Sequence, residues 1–148
     1  MPSINASIGP SGPLLNVLVG LSVPHRAAVM KAGGTIPSYV TGQFLLDTGA
    51  SCTCIDPAFV TKLGLTPTGT VGMQTPSTGD TPAQCYQYDV SLFIPDDARG
   101  STGYFIDAIP VIETGLSMQG IEGLLGRDVL DRCVLIYNAS INAFTLSY

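Results

Sequence analysis

One acid in this sequence stands where a globular chain does not place one without compensation. In Phe44-Leu45-Leu46-Asp47-Thr48-Gly49-Ala50-Ser51 a carboxylate follows three apolar residues and directly precedes a threonine and a glycine. Taking it out of water costs several kcal/mol unless partners compensate, so the position needs an explanation. As a bare tripeptide, Asp-Thr-Gly reads as a turn in which the aspartate accepts hydrogen bonds from its own backbone. Cys52 and Cys54 follow at once, and strand alternation would put both thiols on one face. With Cys85, Cys133 or His25 they could be read as a metal site, but one intervening residue is short of the roughly two to four usual for tetrahedral zinc, and no metal is expected. Oxidation of a thiol beside Asp47 is a further regulatory reading. His25, the sole histidine, follows Pro24 and has no serine or cysteine nucleophile motif to serve, so it reads as a surface residue.

Two other segments change how Asp47 is read. About 75 residues further on stands Leu124-Leu125-Gly126-Arg127-Asp128-Val129-Leu130, and between the two lies Gln87-Tyr88-Asp89 followed by alternating apolar residues. In order, the three resemble the active-site loop, the strand returning from the flap, and the apolar-apolar-Gly-Arg-Asp/Asn helix of the retropepsin-like aspartic proteases. The resemblance covers nearly the whole chain beyond residue 13. It implies an all-β fold, a single-domain acid-protease barrel with short helices over residues 14–148, closed as a homodimer. It also implies an aspartic endopeptidase acting on extended peptide, without metal or cofactor. Because the chain has one Asp-Thr-Gly where bilobal relatives carry two, the second carboxylate would come from a second copy across a two-fold axis. By the same resemblance Thr48 would bond across that axis, Gly49 would let the backbone approach the substrate, and Ala50 would complete the loop. A flap around residues 73–83, with Pro76, Ser77, Thr78 and Gly79 at its tip, would close on the substrate. Leu124, Leu125, Gly126 and Arg127 would support the loop from below, and a terminal strand over Phe144 to Tyr148 would interleave between subunits. In the family the arginine pairs with an acid just after the catalytic glycine. That position is Ser51 here, which leaves Asp128, Asp131 or backbone carbonyls as partners for Arg127.

The chemistry such a pair performs is general acid–base attack by water. The ionised carboxylate takes a proton from the water while the protonated one hydrogen-bonds the substrate carbonyl. Two carboxylate charges about 3 Å apart repel by roughly 5 kcal/mol at an effective dielectric near 20, so one keeps its proton. A hydroxyl at position 50 could donate to the aspartate and favour its charge; Ala50 cannot, so a mildly acidic optimum is expected. The competing reading keeps the fold and the dimer but makes it a catalytically inactive peptide-binding module.

The elements that would position these groups follow from pattern. Residues 1–13 hold Pro2, Gly9, Pro10, Gly12 and Pro13 and few large apolar groups, and are expected to be a flexible arm. Leu15, Val17, Val19, Leu21 and Val23 alternate as a half-buried strand that Pro24 ends. Residues 25–35 read as a loop with one helical turn, and a second strand is expected from Ile36 to Leu46. Asp56-Pro57 caps a short helix over Ala58–Leu63 that Gly64 closes. Thr70–Thr75 and Cys85–Ile94 read as the arms of a hairpin, with Tyr86, Tyr88, Val90, Leu92 and Ile94 on one face. Tyr104–Ile112 is a strand, Asp128–Arg132 a short helix, and Cys133–Tyr137 with Ile141–Leu146 a closing hairpin.

Composition narrows the classes. The 148 residues suit one domain. Only 11% are charged and 45% are hydrophobic, so much of the surface is neutral or covered, which favours an oligomer. The net charge is −5, and the six basic residues, Arg26, Lys31, Lys62, Arg99, Arg127 and Arg132, form no stripe, which argues against nucleic acid. No apolar run approaches the roughly 20 residues of a membrane span, and the N-terminus lacks the pattern of a signal peptide. A cytoplasmic chain with free, mostly buried thiols is therefore expected.

Overall fold

The computed structural model describes residues 1–148. Ten strands run in the order β1 (Ser3–Gly9), β2 (Gly12–Leu21), β3 (Val40–Leu46), β4 (Cys54–Ile55), β5 (Gly69–Met73), β6 (Ala83–Pro95), β7 (Gly103–Glu113), β8 (Gly123–Leu125), β9 (Val134–Asn138) and β10 (Ala143–Ser147). Three short helices interrupt them: α1 (Val23–Lys31), α2 (Pro57–Leu63) and α3 (Arg127–Leu130). The sheet order is β5-β6-β7-β4-β8-β3-β2-β1-β10-β9, and an added β6–β2 pairing bends the middle of it into a closed six-stranded barrel. Two appendages leave this barrel. β5 continues the outer half of β6 as a projecting hairpin, and β1, β10 and β9 form a three-stranded terminal sheet.

Alternation explains the barrel interior. Leu15, Val17 and Val19 of β2, Phe44 and Leu46 of β3, and Tyr88, Val90, Leu92 and Ile94 of β6 are all buried in one core of 21 residues. Phe44 meets Phe59 of α2 edge-on, with ring centroids 5.7 Å apart and planes at 73°, the geometry the ring quadrupoles prefer. The Phe44 ring also lies where a Cβ on Gly123 would come within 2.3 Å of it, so that strand position admits only glycine. Helix α2 is built as its sequence indicates. The Asp56 carboxylate accepts from the Ala58 N–H at 3.1 Å, proline follows, and Gly64 closes the helix at φ +60°. The same carboxylate also accepts from the N–H groups of Leu116 and Ser117, each at 2.9 Å, and so ties the loop after β7 to the start of α2. Burial alone would raise this carboxyl, but these backbone donors outweigh it and hold it below the usual range.

Several expectations are corrected. Residues 1–13 are not a flexible arm: Ser3–Ser7 pair with Ala143–Ser147, and Ile4 is buried. Pro2 and Pro10 lie outside the strands and Pro13 sits at the start of β2 opposite Ile8, and backbone bonding with the alternation of Ile4, Ala6 and Ile8 offsets the ordering cost that composition alone made prohibitive. Val23 to Lys31 form two and a half turns of helix rather than one, because Pro24 sits at the helix start, where no N–H is needed, and the Ser22 hydroxyl accepts from the His25 N–H at 3.4 Å. Strand β3 starts at Val40 rather than Ile36. Tyr86, on the part of β6 that projects from the barrel, is exposed, while Tyr88 is buried and donates its hydroxyl to Glu113 at 2.7 Å. Burial first, and that carboxylate second, push the Tyr88 hydroxyl up to about 12. The four thiols are free, but only Cys54 is fully buried. No helix is long and apolar enough to cross a membrane.

Candidate active site

Asp47 ends β3 at the point where the chain leaves the barrel, and β8 makes that exit rigid. β8 runs parallel to β3 on one side and antiparallel to β4 on the other, so residues 47–53 form a loop that departs and returns across a single central strand. The Asp47 N–H donates to the Leu125 carbonyl at 3.0 Å, and the Asp47 carbonyl accepts from Ala50 at 3.2 Å. The Asp47 Oδ1 accepts from the Gly49 N–H at 2.8 Å, which orients the carboxylate; the side chain is half-buried and reaches an open pocket.

Leu124-Leu125-Gly126-Arg127 lie beneath the loop. Leu125 is fully buried and Leu124 half-buried. A Cβ on Gly126 would lie 2.5 Å from the backbone C and O of Cys52, so this close approach requires glycine. Arg127 donates from Nη1 to the Thr48 carbonyl at 2.9 Å and to the Gly49 carbonyl at 3.4 Å, and its N–H donates to the Ala50 carbonyl at 2.9 Å. Of the partners left open by Ser51, the guanidinium thus takes the carbonyls of the loop itself. Thr48 and Ser51 point their side chains to the surface.

A second clamp was missed by reading the sequence. The Asp128 carboxylate accepts from the Thr53 N–H at 2.9 Å and from the Thr53 hydroxyl at 2.7 Å, and the Thr53 Oγ1 in turn accepts from the Gly126 N–H at 3.2 Å. Thr53 is fully buried, so this network locks α3 to the far end of the loop. The only sequence signal for it was a threonine alternating with two cysteines in a segment otherwise apolar.

Above the loop stands the β5–β6 hairpin. A pocket of about 290 Å³ lies between them, lined by Asp47, Gly49, Ala50, Ser51, Cys52, Cys54 and Leu124 from the barrel and by Met73, Gln74, Thr75 and Pro76 from the hairpin. Of the four tip residues singled out from sequence, Pro76 lines this space; Ser77, Thr78 and Gly79 instead shape the turn. Thr78 donates its N–H to the Thr75 carbonyl at 3.0 Å and accepts from the Thr75 N–H at 2.9 Å, while Gly79 adopts φ +63°. Met73, Val71 and Cys85 pack on a small outer core of Cys54, Ile112, Leu116 and Ile121 that seats the hairpin on the barrel. Burial first and the neighbouring Cys52 second raise the Cys54 thiol to about 12, so it stays a neutral packing group in this wall. No cluster of His, Cys, Asp and Glu in the structure has the makings of a metal site.

Comparison with known proteins agrees with this construction. Residues 30–129 match the family described as aspartyl protease. No curated protein matches the chain. Among solved structures, the fold is similar to that of a retropepsin-like aspartic protease from Rickettsia conorii, with a TM-score of 0.60 at 17% identity, over 99% of this chain and 90% of that one. Identity that low speaks for the fold, while the family match spans more than half of the sequence. The chain belongs to the aspartyl protease family and is an aspartic endopeptidase with the retropepsin-like barrel.

Proposed function

We propose that the active unit is a homodimer in which Asp47 of each copy supplies one of two carboxylates around a shared water. The observation that carries this reading is a single loop-held aspartate per chain, half-buried and lining an open pocket beneath a hairpin. One Asp47, ionised, takes a proton from the water as oxygen attacks the scissile carbonyl; the other, protonated, donates to that carbonyl oxygen. The tetrahedral diol then collapses as a carboxyl proton passes to the leaving amine, and the pair regains its starting state. Thr48 is exposed on the loop, where its hydroxyl can bond across the axis. The hairpin closes as a flap over an extended peptide, offers it backbone donors, and excludes water. Ala50, Cys52, Cys54, Met73 and Leu124 give the pocket apolar walls that favour apolar side chains.

Asp47→Asn tests the assignment. Cleavage of a peptide library should fall about a thousandfold or more, the scale of a lost acid–base group, while the variant stays folded and keeps its solution mass. Cleavage unchanged in Asp47→Asn would sink the assignment of Asp47, whereas a wild-type protein that binds the peptides without cleaving them would leave the peptide-binding module in its place.

A further inference from the structure

On the outer face of the barrel, cross-strand register builds a row of apolar side chains. Leu18 of β2 pairs with Phe93 of β6, and Phe93 pairs with Phe105 of β7. Their strand neighbours Val17, Val19, Leu92, Ile94 and Ile106 fill the barrel core, so alternation turns Leu18, Phe93 and Phe105 outward. Phe105 is 46% exposed. Tyr39 closes one end of the row. Its ring lies on β2 at Gly20, where a Cβ would come within 2.5 Å of it, so glycine at that position is what lets the ring rest on the strand. The four side chains line an open cup of about 230 Å³. Leu18 pairs with Thr41, six residues before Asp47, which puts the cup roughly 20 Å from the carboxylate along β3. The cup shares no residue with the pocket at Asp47.

A cation stands beside this cup. Arg26 of α1 donates from Nη1 to the Tyr39 hydroxyl at 3.1 Å, and its guanidinium carbon is 5.8 Å from the centre of the Tyr39 ring. That partner is a neutral hydroxyl, which leaves the charge unmatched and the other guanidinium donors open to a ligand. The helix lies against β7 and reaches Tyr39 yet buries none of its own residues, so it borders the cup without filling it. Asp107, two residues beyond Phe105 on β7, already accepts the Ala108 N–H at 2.9 Å. An anionic group is therefore favoured at the Tyr39 end, by Arg26.

A cup walled by three rings selects a flat aromatic group, whose face and edges can pair with theirs. A guanidinium with open donors selects a carboxylate over a neutral group. We propose that Leu18, Tyr39, Phe93 and Phe105 form a binding site for a small aromatic carboxylate, with its ring in the cup and its carboxylate on Arg26. The volume suits one ring or two fused rings on a short acid chain. This site is additional to the peptide cleft and does not depend on how the Asp47 carboxylates are assembled.

Because the chain has no tryptophan, the emission of an indole probe can be excited selectively in its presence. Indolepropionate is titrated against the full chain, with indolepropionamide as its neutral counterpart, in wild type, Arg26→Gln and Phe105→Ser. In wild type the acid should bind saturably with blue-shifted emission, about tenfold tighter than the amide, the scale of a charge-assisted hydrogen bond. Arg26→Gln should erase that preference and leave the affinity for the amide unchanged. Phe105→Ser should weaken both probes about tenfold or more, because it removes an aromatic wall. Thermal melting and peptide cleavage like those of wild type show that a variant is folded, since neither residue lines the Asp47 pocket. Phe105→Leu keeps that wall apolar without its ring and should weaken both probes severalfold, which carries the test if the serine variant misfolds. The site is overturned by any of five results: no saturable binding at millimolar probe, equal binding of acid and amide to wild type, wild-type affinity in a folded Phe105 variant, an Arg26→Gln that weakens both probes alike, or displacement of the probe by a peptide-like inhibitor of the cleft. Probe affinity that falls as protein concentration rises also overturns it, since a second copy of the chain then covers the cup.

Discussion

Asp47 is held by geometry rather than by a neighbouring charge. Its carboxylate is oriented by the Gly49 N–H, and the loop around it is clamped by Arg127 on one side and by the Thr53–Asp128 network on the other. Arg127 is exposed, so Arg127→Ala should cost only about 1 kcal/mol of stability while lowering kcat about a hundredfold, the scale expected when a reacting group is displaced by about 1 Å. Thermal melting beside peptide kinetics reads the two effects apart. At Gly126 the order reverses. Gly126→Ala drives a methyl group into the Cys52 backbone, and overpacking of this kind costs about 1–3 kcal/mol, seen as a lowered denaturant midpoint. Asp56 lies outside the pocket and acts on stability alone. Its folded carboxyl is depressed, so its contribution is complete above the unfolded value of about 3.9 and is lost as pH falls through the folded one. Asp56→Ala should destabilise by about 2 kcal/mol at pH 7 and flatten the loss of stability of the wild type below pH 4, measured by urea unfolding at both ends of that range.

At the scale of elements, the hairpin and β8 divide the work. β8 is three residues long, yet it separates the outgoing β3 from the returning β4, and the Asp47 loop is the connection forced around it. Such a strand is illegible locally: Gly123-Leu124-Leu125 has too few residues for a period, and its β conformation comes from the two neighbours that bond it. The helix signals were legible because a cap is a local hydrogen bond, as Asp56 and Gly64 illustrate. The β5–β6 hairpin is held to the outer core by Met73, next to its turn, where the Met73 sulfur accepts from the Thr114 hydroxyl at 3.8 Å. On the proposed reading of the hairpin as a flap, Met73→Ala should loosen it and raise KM several-fold more than it lowers kcat, because weaker closure on substrate leaves the carboxylates untouched. Steady-state kinetics on one peptide decides between this and a purely structural effect, which would lower the active fraction and leave KM unchanged.

For the whole molecule, the proposed dimeric site, with one carboxylate from each chain, predicts activity that depends on concentration. Specific activity should fall on dilution below the dimer constant and return on reconcentration, with Asp47→Asn added in excess acting as a dominant inhibitor through mixed dimers; progress curves across a dilution series check both. The scarcity of charge read from composition extends to the terminal sheet, where no charged residue occurs in three adjacent strands. By itself the sequence determined the strand-rich barrel and the short capped helix, because alternation and caps are written in residues next to one another, while the partnership of the Asp47 loop with Leu124 to Arg127 was implied by family resemblance. Only the tertiary structure decided that the first residues are a strand, that Arg127 grips carbonyls and not an acid, that Thr53 and Asp128 join, and that β9 and not β10 is left with a free edge. Those outcomes depend on which strand finds which partner across more than seventy residues of chain, as between Thr53 and Asp128, and long-range pairing is chosen by the closure of the whole sheet rather than by any local pattern.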